Sequence, residues 1–598
     1  MKVLLVGINA KYIHSSLAIY SLRAYARRAL GDNAPDRELG EYTINHLRET
    51  ILQDIYRRKP DFIGFSCYIW NISMVESLLA DVKTLLPRTA LWFGGPEVSY
   101  DGQRFLAAHP QADGVMKGEG EETLARLLGA LGQGGELSSV PGLIFRRPEG
   151  QLVDTGSAPA LDISSIPFPY EGIDRESLAH RILYYESSRG CPFSCSYCLS
   201  SIDRRVRFRS MELVERELAQ LLEAGVPQVK FVDRTFNCSR ERALRIWRFI
   251  KEHDNGRTNF HFEIAADLLD KEAAALLTSL RPGLVQLEIG VQSANPRTLD
   301  AIGRRTDLER IRAVTSRLKA SRRVHQHLDL IAGLPWEDLE SFRESFNQVY
   351  AMEPDQLQLG FLKVLKGTPM EREAVRFGIR CSSVPPYEVL STPWLSYEDI
   401  LTLKEAEDMV ETYYNSRQFT CTLALLEKWY PSPWDMLLAL AAYYKENGLA
   451  GVNHSRMARY DILWGLINKI CSRAAVPDRD SGESLENQGD PEHRPGREDL
   501  RDALVRDFYL RENAKTRPAF ARDLRPYRDR IREFYRREEK ERRYLPAYGA
   551  YDARQMERMT HLEVWGDGSM TLFDYRDRDP LDGNARCIPL CAQEMEDD

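Results

Sequence analysis

The sequence predicts an α/β protein: a doubly wound (Rossmann-like) parallel-sheet domain, then a partial β/α barrel of six strand–helix units, then a mainly helical C-terminal region. Three observations carry this reading. Residues 1–135 alternate short apolar runs with segments of helical spacing. Residues 181–370 repeat strand then helix six times. Beyond 381 the segments turn helical and aromatic, as at 397–414 and 433–444. A chain of 598 residues suits about three or four domains. With 81 basic and 89 acidic residues the net charge is −8, so no global field drives nucleic-acid binding. No apolar stretch approaches the ~20 residues that span a bilayer, and the opening apolar run stops at Gly7. Ten cysteines, only three of them tightly clustered, fit a reducing, cytoplasmic setting and not a disulfide scaffold.

Each element has a local reason. Residues 2–6 are an apolar strand opening on Gly7, 17–28 have helical spacing, and 37–45 form a second strand. Residues 62–66 are continuously apolar, the mark of a strand covered on both faces. A helix over 72–85, strands over 91–95 and 113–116, and a helix opened by Gly118, Glu119 and Gly120 complete the domain, taken as 1–135. A ligand of such a sheet lies at the carboxyl ends of its strands. Small residues gather there: Gly7, Ser66, Gly94 and Gly95 ahead of Glu97, and Gly118 and Gly120. They let a bulky ligand approach the backbone, or they are ordinary tight turns. The fingerprint G-x-G-x-x-G is absent, which argues against a dinucleotide.

Residues 136–180 read as a connector, with a hairpin around 147–150 and a proline-rich stretch after it. The barrel, 181–380, has predicted strands at 182–186, 228–232, 259–264, 284–289, 324–331 and 356–362. Its active site belongs at the strands' carboxyl ends. Polar residues recur there: Asp233 and Asn237, Glu263 and Asp267, Glu288 with Gln292 and Ser293, and Asp329 before Gly333. Any one of them could instead be a helix cap or turn residue.

Cys191, Cys195 and Cys198, just after the first barrel strand, are the most informative residues. The spacing Cys-x3-Cys-x2-Cys puts three soft thiolates on one loop, as a metal or an iron–sulfur cluster requires. Zinc sites usually pair two Cys-x2-Cys units or add histidines, and no histidine lies within ten residues of Cys191. Three protein ligands leave one iron of a four-iron cluster open to a chelating small molecule.

This spacing, with Tyr197 before the last cysteine, resembles the signature of the radical S-adenosylmethionine (SAM) enzymes. In that family the open iron of a [4Fe–4S] cluster binds the amino and carboxylate groups of SAM. Residues 290–293 resemble the family's segment near the ribose, and 367–369 a turn near the adenine. Arg304 or Arg305 could face the carboxylate. The resemblance makes Tyr197, Asp233, Glu263, Glu288, Gln292, Ser293 and Arg305 the candidate residues on this side. The order of blocks over residues 1 to about 380 resembles, more narrowly, the members with a cobalamin-binding domain, in which the first sheet holds the corrin over its strand ends. One departure is plain: the Asp-x-His-x-x-G loop by which many cobalamin proteins ligate cobalt is missing. His14 follows the first strand, but at the wrong spacing and with no acidic residue two positions earlier. The expectation is cobalt without a protein ligand, with Cys67, Tyr68 and Trp70 packed under the corrin and Gly118, Glu119 and Gly120 nearby.

By resemblance, the reduced cluster cleaves SAM to a 5′-deoxyadenosyl radical, which abstracts hydrogen from an unactivated carbon, and methylcobalamin delivers a methyl group. An external donor such as flavodoxin or ferredoxin is implied. Radical cyclisation or rearrangement is an alternative outcome within the family, and a non-enzymatic cobalamin or cluster sensor is one outside it. A methylthiotransferase would need a second cysteine triad, yet only Cys67 precedes Cys191.

Residues 381–471 read as a helical accessory region, 472–497 as a disordered linker poor in large apolar groups, and 498–598 as a further accessory region. Residues 515–543 carry 12 Lys/Arg and 6 Asp/Glu. A solvated amphipathic helix is the favoured reading over an RNA-contacting surface. Cys587 and Cys591 could join an auxiliary cluster, but chance placement near a loosely held terminus is the expectation.

Overall fold

Continuous apolar runs become the buried strands of the first sheet. The computed structural model describes residues 1–31, 36–173, 175–475, 494–514 and 516–590. Strands β1 (Lys2–Asn9), β2 (Asp36–Thr43), β3 (Phe62–Ser66), β4 (Ala90–Gly94), β5 (Gly114–Met116), β6 (Leu143–Arg146) and β7 (Leu152–Asp154) lie in the order β2-β1-β3-β4-β5-β6-β7. The first five pair in parallel, and every residue of β3 is buried. Helix Ile72–Leu85 covers the sheet with Ile72, Val75, Leu78, Leu79 and Val82, the i, i+3, i+4 stripe that a helix needs on one face. The connector hairpin, β6 and β7, extends this sheet antiparallel to β5. The sheet therefore runs past residue 135, because the apolar run of β6 completes an edge that β5 leaves unpaired.

The second sheet is built from β8 (Ile182–Tyr185), β11 (Gln228–Phe231), β12 (Asn259–Ile264), β13 (Val285–Gln292), β14 (His325–Ala332) and β15 (Gln356–Phe361), in the order β15-β14-β13-β12-β11-β8. These are the six predicted strands, shifted by up to three residues at their ends. Two short strands, β9 (Ser188–Arg189) and β10 (Arg207–Phe208), pair antiparallel around the cysteine loop. Burial alternates along β13: Val285, Leu287, Ile289 and Val291 are buried, while Gln286, Glu288, Gly290 and Gln292 on the other face are half-buried. Period-2 geometry therefore gives the helices an apolar face and the barrel axis a polar one.

Residues 343–359 and 401–598 form a second compact unit, the rest of the chain to residue 400 the first. Helices Thr420–Leu426, Pro433–Glu446, Arg456–Ala475 and Arg497–Arg511 dominate the second. Asp507 caps the first of them, accepting hydrogen bonds from the Cys421 and Thr422 amides at 2.9 and 2.8 Å. The prediction of a mainly helical region omitted a three-stranded antiparallel sheet of Thr560–Val564, Met570–Arg578 and Ala585–Leu590. Cys587 lies on its last strand. Cys591 and residues 476–493, the body of the predicted linker, fall outside the described residues. The basic segment contains helix Arg528–Glu541, amphipathic as expected, with Phe534 and Tyr535 buried. Among the described residues no helix is long and apolar enough to cross a membrane.

Candidate active site

The cysteine loop is shaped by close backbone approaches. Gly190 has φ +99°, and a Cβ there would lie 2.4 Å from the Arg205 carbonyl oxygen. Gly303 has φ +66°, and its Cβ would meet the Ser194 carbonyl oxygen at 2.9 Å. Only glycine fits both positions. The Ser196 amide donates to the Ile302 carbonyl at 2.9 Å, and the Met370 amide to the Ser196 carbonyl at 2.9 Å, so the loops after β13 and β15 hold the triad. Cys191 and Cys195 are buried and Cys198 is half-buried. Thr235 Oγ1 is 3.5 Å from Cys191 Sγ, and Arg304 Nη1 is 3.7 Å from Cys195 Sγ while its other nitrogen donates to the Gly290 carbonyl. Arg304, not the exposed Arg305, is thus the guanidinium beside Cys195. Tyr197 is half-buried beside Cys195, and burial pushes its hydroxyl pKa up.

The predicted polar strand ends divide by role. Asp233 is buried and accepts from the Ser187 amide at 2.8 Å and from the Ser187 and Ser188 hydroxyls at 2.6 Å. It anchors the start of the cysteine loop, and burial pushes its carboxyl up to about 6. Asn237 likewise ties β11's loop to Ala265. Ser293 donates to Glu337 at 2.5 Å. Gln292 sits at φ +74° in a bulge between β13 and β14, and its Oε1 is buried without a hydrogen-bond partner. Ser196 Oγ, Thr306 Oγ1 and Arg304 Nε are buried without partners too. Such unsatisfied groups beside three free thiols are what a site for an iron–sulfur cluster and a polar co-substrate should leave when described by protein atoms alone. Glu263 lies 3.8 Å from Arg234, and burial pushes it up to about 7 against the pull of that guanidinium.

In the first domain the strand ends carry a rim of exposed apolar residues. Ile44 and Leu47 follow β2, Trp70 follows β3 and Tyr100 follows β4, each more than a third exposed. Tyr68 and Trp70 stack with ring centroids 4.4 Å apart and planes within 6°. Asn71 fixes the loop that carries them, accepting from the Tyr68 amide and donating to the Ile8 and Ser66 carbonyls. Exposed apolar residues at several strand ends, with an aromatic platform among them, fit a large, flat macrocycle. The small residues behave differently from one another. A Cβ at Gly7 would strike Ser16 Oγ at 2.7 Å, and one at Gly95, φ +106°, the Cys67 carbonyl oxygen at 2.4 Å. Their smallness serves internal packing. Gly118, φ +70°, faces open space. Gly94 and Gly120 meet Met116 and Leu22 at 3.7 and 3.0 Å.

Four expected ligand contacts are engaged elsewhere. Cys67 is fully buried, so it belongs to the core and not to the platform. Glu97 is buried and accepts from the Tyr387 hydroxyl at 2.9 Å. Glu119 pairs with Arg207 and accepts from the Leu161 amide at 2.9 Å. Glu288 accepts from Lys230 at 2.9 Å, with His261 2.8 Å away. His14 lies 2.7 Å from the Tyr184 hydroxyl on β8, within a loop whose Ile13 carbonyl accepts from the Ile182 amide at 2.7 Å. The loop that would carry a cobalt-ligating histidine is paired to the barrel's edge strand instead. Sequence reasoning missed Arg234. Its guanidinium lies 3.8 Å from Glu263 and interacts electrostatically with Cys198 and Tyr68. An arginine directly after Asp233 was the only signal.

Comparison with known proteins agrees with this fold. The B12 binding domain model matches residues 3–128, the Radical SAM superfamily model residues 185–349, and a model described as a protein of unknown function, DUF4080, residues 375–568. The chain is 27% identical over 339 residues to "Uncharacterized methyltransferase PH0819" of Pyrococcus horikoshii, covering 54% of this chain and 72% of that one. It is 25% identical over 412 residues to "Cobalamin-dependent radical SAM methyltransferase TokK" of Streptomyces tokunonensis, covering 63% and 58%. It shares a fold with the radical SAM methyltransferase TsrM of Kitasatospora setae, solved with cobalamin and a [4Fe–4S] cluster bound, at a TM-score of 0.53, 19% identity, and coverage of 65% of this chain and 82% of that one. The chain is a radical SAM enzyme with a cobalamin-binding domain and a DUF4080 C-terminal domain. Its cofactors are cobalamin, a [4Fe–4S] cluster and SAM.

Proposed function

We propose that this enzyme methylates an unactivated carbon of its substrate. The observation that carries the reading is the buried cysteine loop after the first barrel strand in a chain whose first domain matches a B12 binding model, with the Arg234 charge acting on both Cys198 and Tyr68. Bound there, a reduced [4Fe–4S] cluster would supply the electron that cleaves SAM, and cobalamin a transferable methyl group. The chain's own residues do the rest. Cys191, Cys195 and Cys198 would hold the cluster, and Arg304 balances thiolate charge at Cys195. Gln292 Oε1 offers a buried acceptor to a polar co-substrate. Tyr68 and Trp70 would support the corrin, with no imidazole below it, since His14 is held by Tyr184. Burial of Cys191 and Cys195 limits water at a site where radicals must survive. An electron donor is required, and a flavodoxin or ferredoxin is the proposed one.

The substrate is open, so the test is untargeted. Cells with and without the gene are grown on methionine carrying a deuterated methyl, and metabolites, lipids, peptides and RNA nucleosides are compared. The expected result is a compound that gains one labelled methyl only when the gene is present. A gene-dependent compound altered without any label would contradict methyl transfer and favour rearrangement or cyclisation.

A further inference from the structure

The cysteine loop carries a solvent-facing patch that the reading above does not use. The Ser201 amide and hydroxyl both donate to the Cys198 carbonyl, at 3.2 and 2.7 Å, and the Cys191 amide donates to the Asp203 carbonyl at 3.2 Å. Residues 201–203 are therefore bonded directly to the backbones of two of the three thiol residues. The side chains around them face solvent. Ile202 is 43% exposed, Arg204 is exposed, and the Arg205 side chain is 78% exposed. Phe208, on β10, is 37% exposed, with the Arg242 guanidinium 4.8 Å above its ring. Residues 202–208 hold three arginines and one aspartate. Arg207 is met by Glu119, and Asp203 lies 3.3 Å from Arg205. Arg204 makes no ion pair among the described residues. The patch is thus cationic, with two apolar side chains, in a chain whose net charge is −8.

We infer that Ile202, Arg204, Arg205, Phe208 and Arg242 are the docking surface for the protein that reduces the cluster, a small one-electron carrier with an acidic face. The inference rests on the reading that an external protein supplies this electron. Charge complementarity sets the sign of the partner's surface. Electron-transfer encounters use small, transient interfaces, so a few cations around an exposed aromatic suffice. Position sets the partner's task, because the backbone of this patch is joined by hydrogen bonds to both Cys191 and Cys198. The step moves one electron and no proton. With a flavin carrier, the anionic hydroquinone becomes the neutral semiquinone and the cluster passes from its 2+ to its 1+ state.

The test uses cluster-loaded full-length protein and a strongly acidic flavodoxin reduced to the hydroquinone, with dithionite as the small-molecule control. Stopped-flow absorbance gives the second-order rate of cluster reduction, and titration with oxidised flavodoxin gives the Kd. Two net-negative proteins repel at long range, so without the patch the wild-type rate would rise as salt screens them. The patch predicts the opposite, a rate that falls with salt, and this slope is read on wild type whether or not a variant folds well. Arg204→Glu/Arg205→Glu should slow reduction by flavodoxin about tenfold or more at low salt and weaken its binding. Iron content and reduction by dithionite should match wild type. Arg204→Lys/Arg205→Lys should keep the wild-type rate. A wild-type rate that rises with salt, or equal flavodoxin rates in wild type and the Glu variant, would overturn the patch alone. Wild type whose cluster is reduced by dithionite but not by flavodoxin would overturn the proposed donor along with it.

Discussion

At the scale of single residues, the site is organised by buried polar groups whose cost several partners offset only in part. Asp233 shows this best. Three hydrogen bonds fail to outweigh burial, and its carboxyl stays up at about 6 instead of 3.8. The native state therefore holds this proton between pH 4 and 6 while the unfolded chain does not. Stability falls as pH rises through that window, by up to about 3 kcal/mol from this group alone. The penalty is absent below the unfolded value and complete above about 6. The variant Asp233→Asn cannot titrate. We predict that wild type gains stability relative to this variant as pH drops from 7 to 4, measured by paired melts. A pH-independent difference would show that Asp233 is not a buried, protonatable anchor. Such pairings were illegible in the sequence for a simple reason. Glu119 meets Arg207 from 88 positions away, so its motif-like setting between two glycines suggested a ligand contact that its ion pair accounts for.

At the scale of elements, the parallel strands were legible because burial on both faces writes continuous apolar runs such as residues 62–66. The C-terminal sheet was not, because Met570–Arg578 ends in charged residues and its partners are short. The loop after β1 shows how an element changes role. In sequence it sits where a cobalt ligand could be, but Ile13 and Ser15 bond to Ile182 and His14 to Tyr184, making the loop a strap on β8. The ring is occupied, and burial lowers its pKa. His14→Ala should leave the absorption spectrum of bound cobalamin unchanged, whereas a shift of its bands would show that the imidazole reaches cobalt. The cysteine triad stood out as a candidate ligand set from its spacing. Its supporting glycines, Gly190 and Gly303, show their purpose only through the carbonyls that would stand under 3 Å from a Cβ at either position.

At the scale of the whole molecule, the account rests on two separable binding domains brought to one site. The B12 model ends at residue 128 and the Radical SAM model begins at 185, and the Arg234 charge acts on a residue of each, Tyr68 and Cys198. The most direct measurement compares anaerobically reconstituted wild type with the variant carrying Cys191→Ala, Cys195→Ala and Cys198→Ala, scoring iron, cobalamin and SAM cleavage in the same samples. The account predicts about four irons per chain in wild type. In the variant, iron and SAM cleavage should be lost together while cobalamin stays bound. Full iron content in the variant, or wild type that binds no cobalamin, would contradict it.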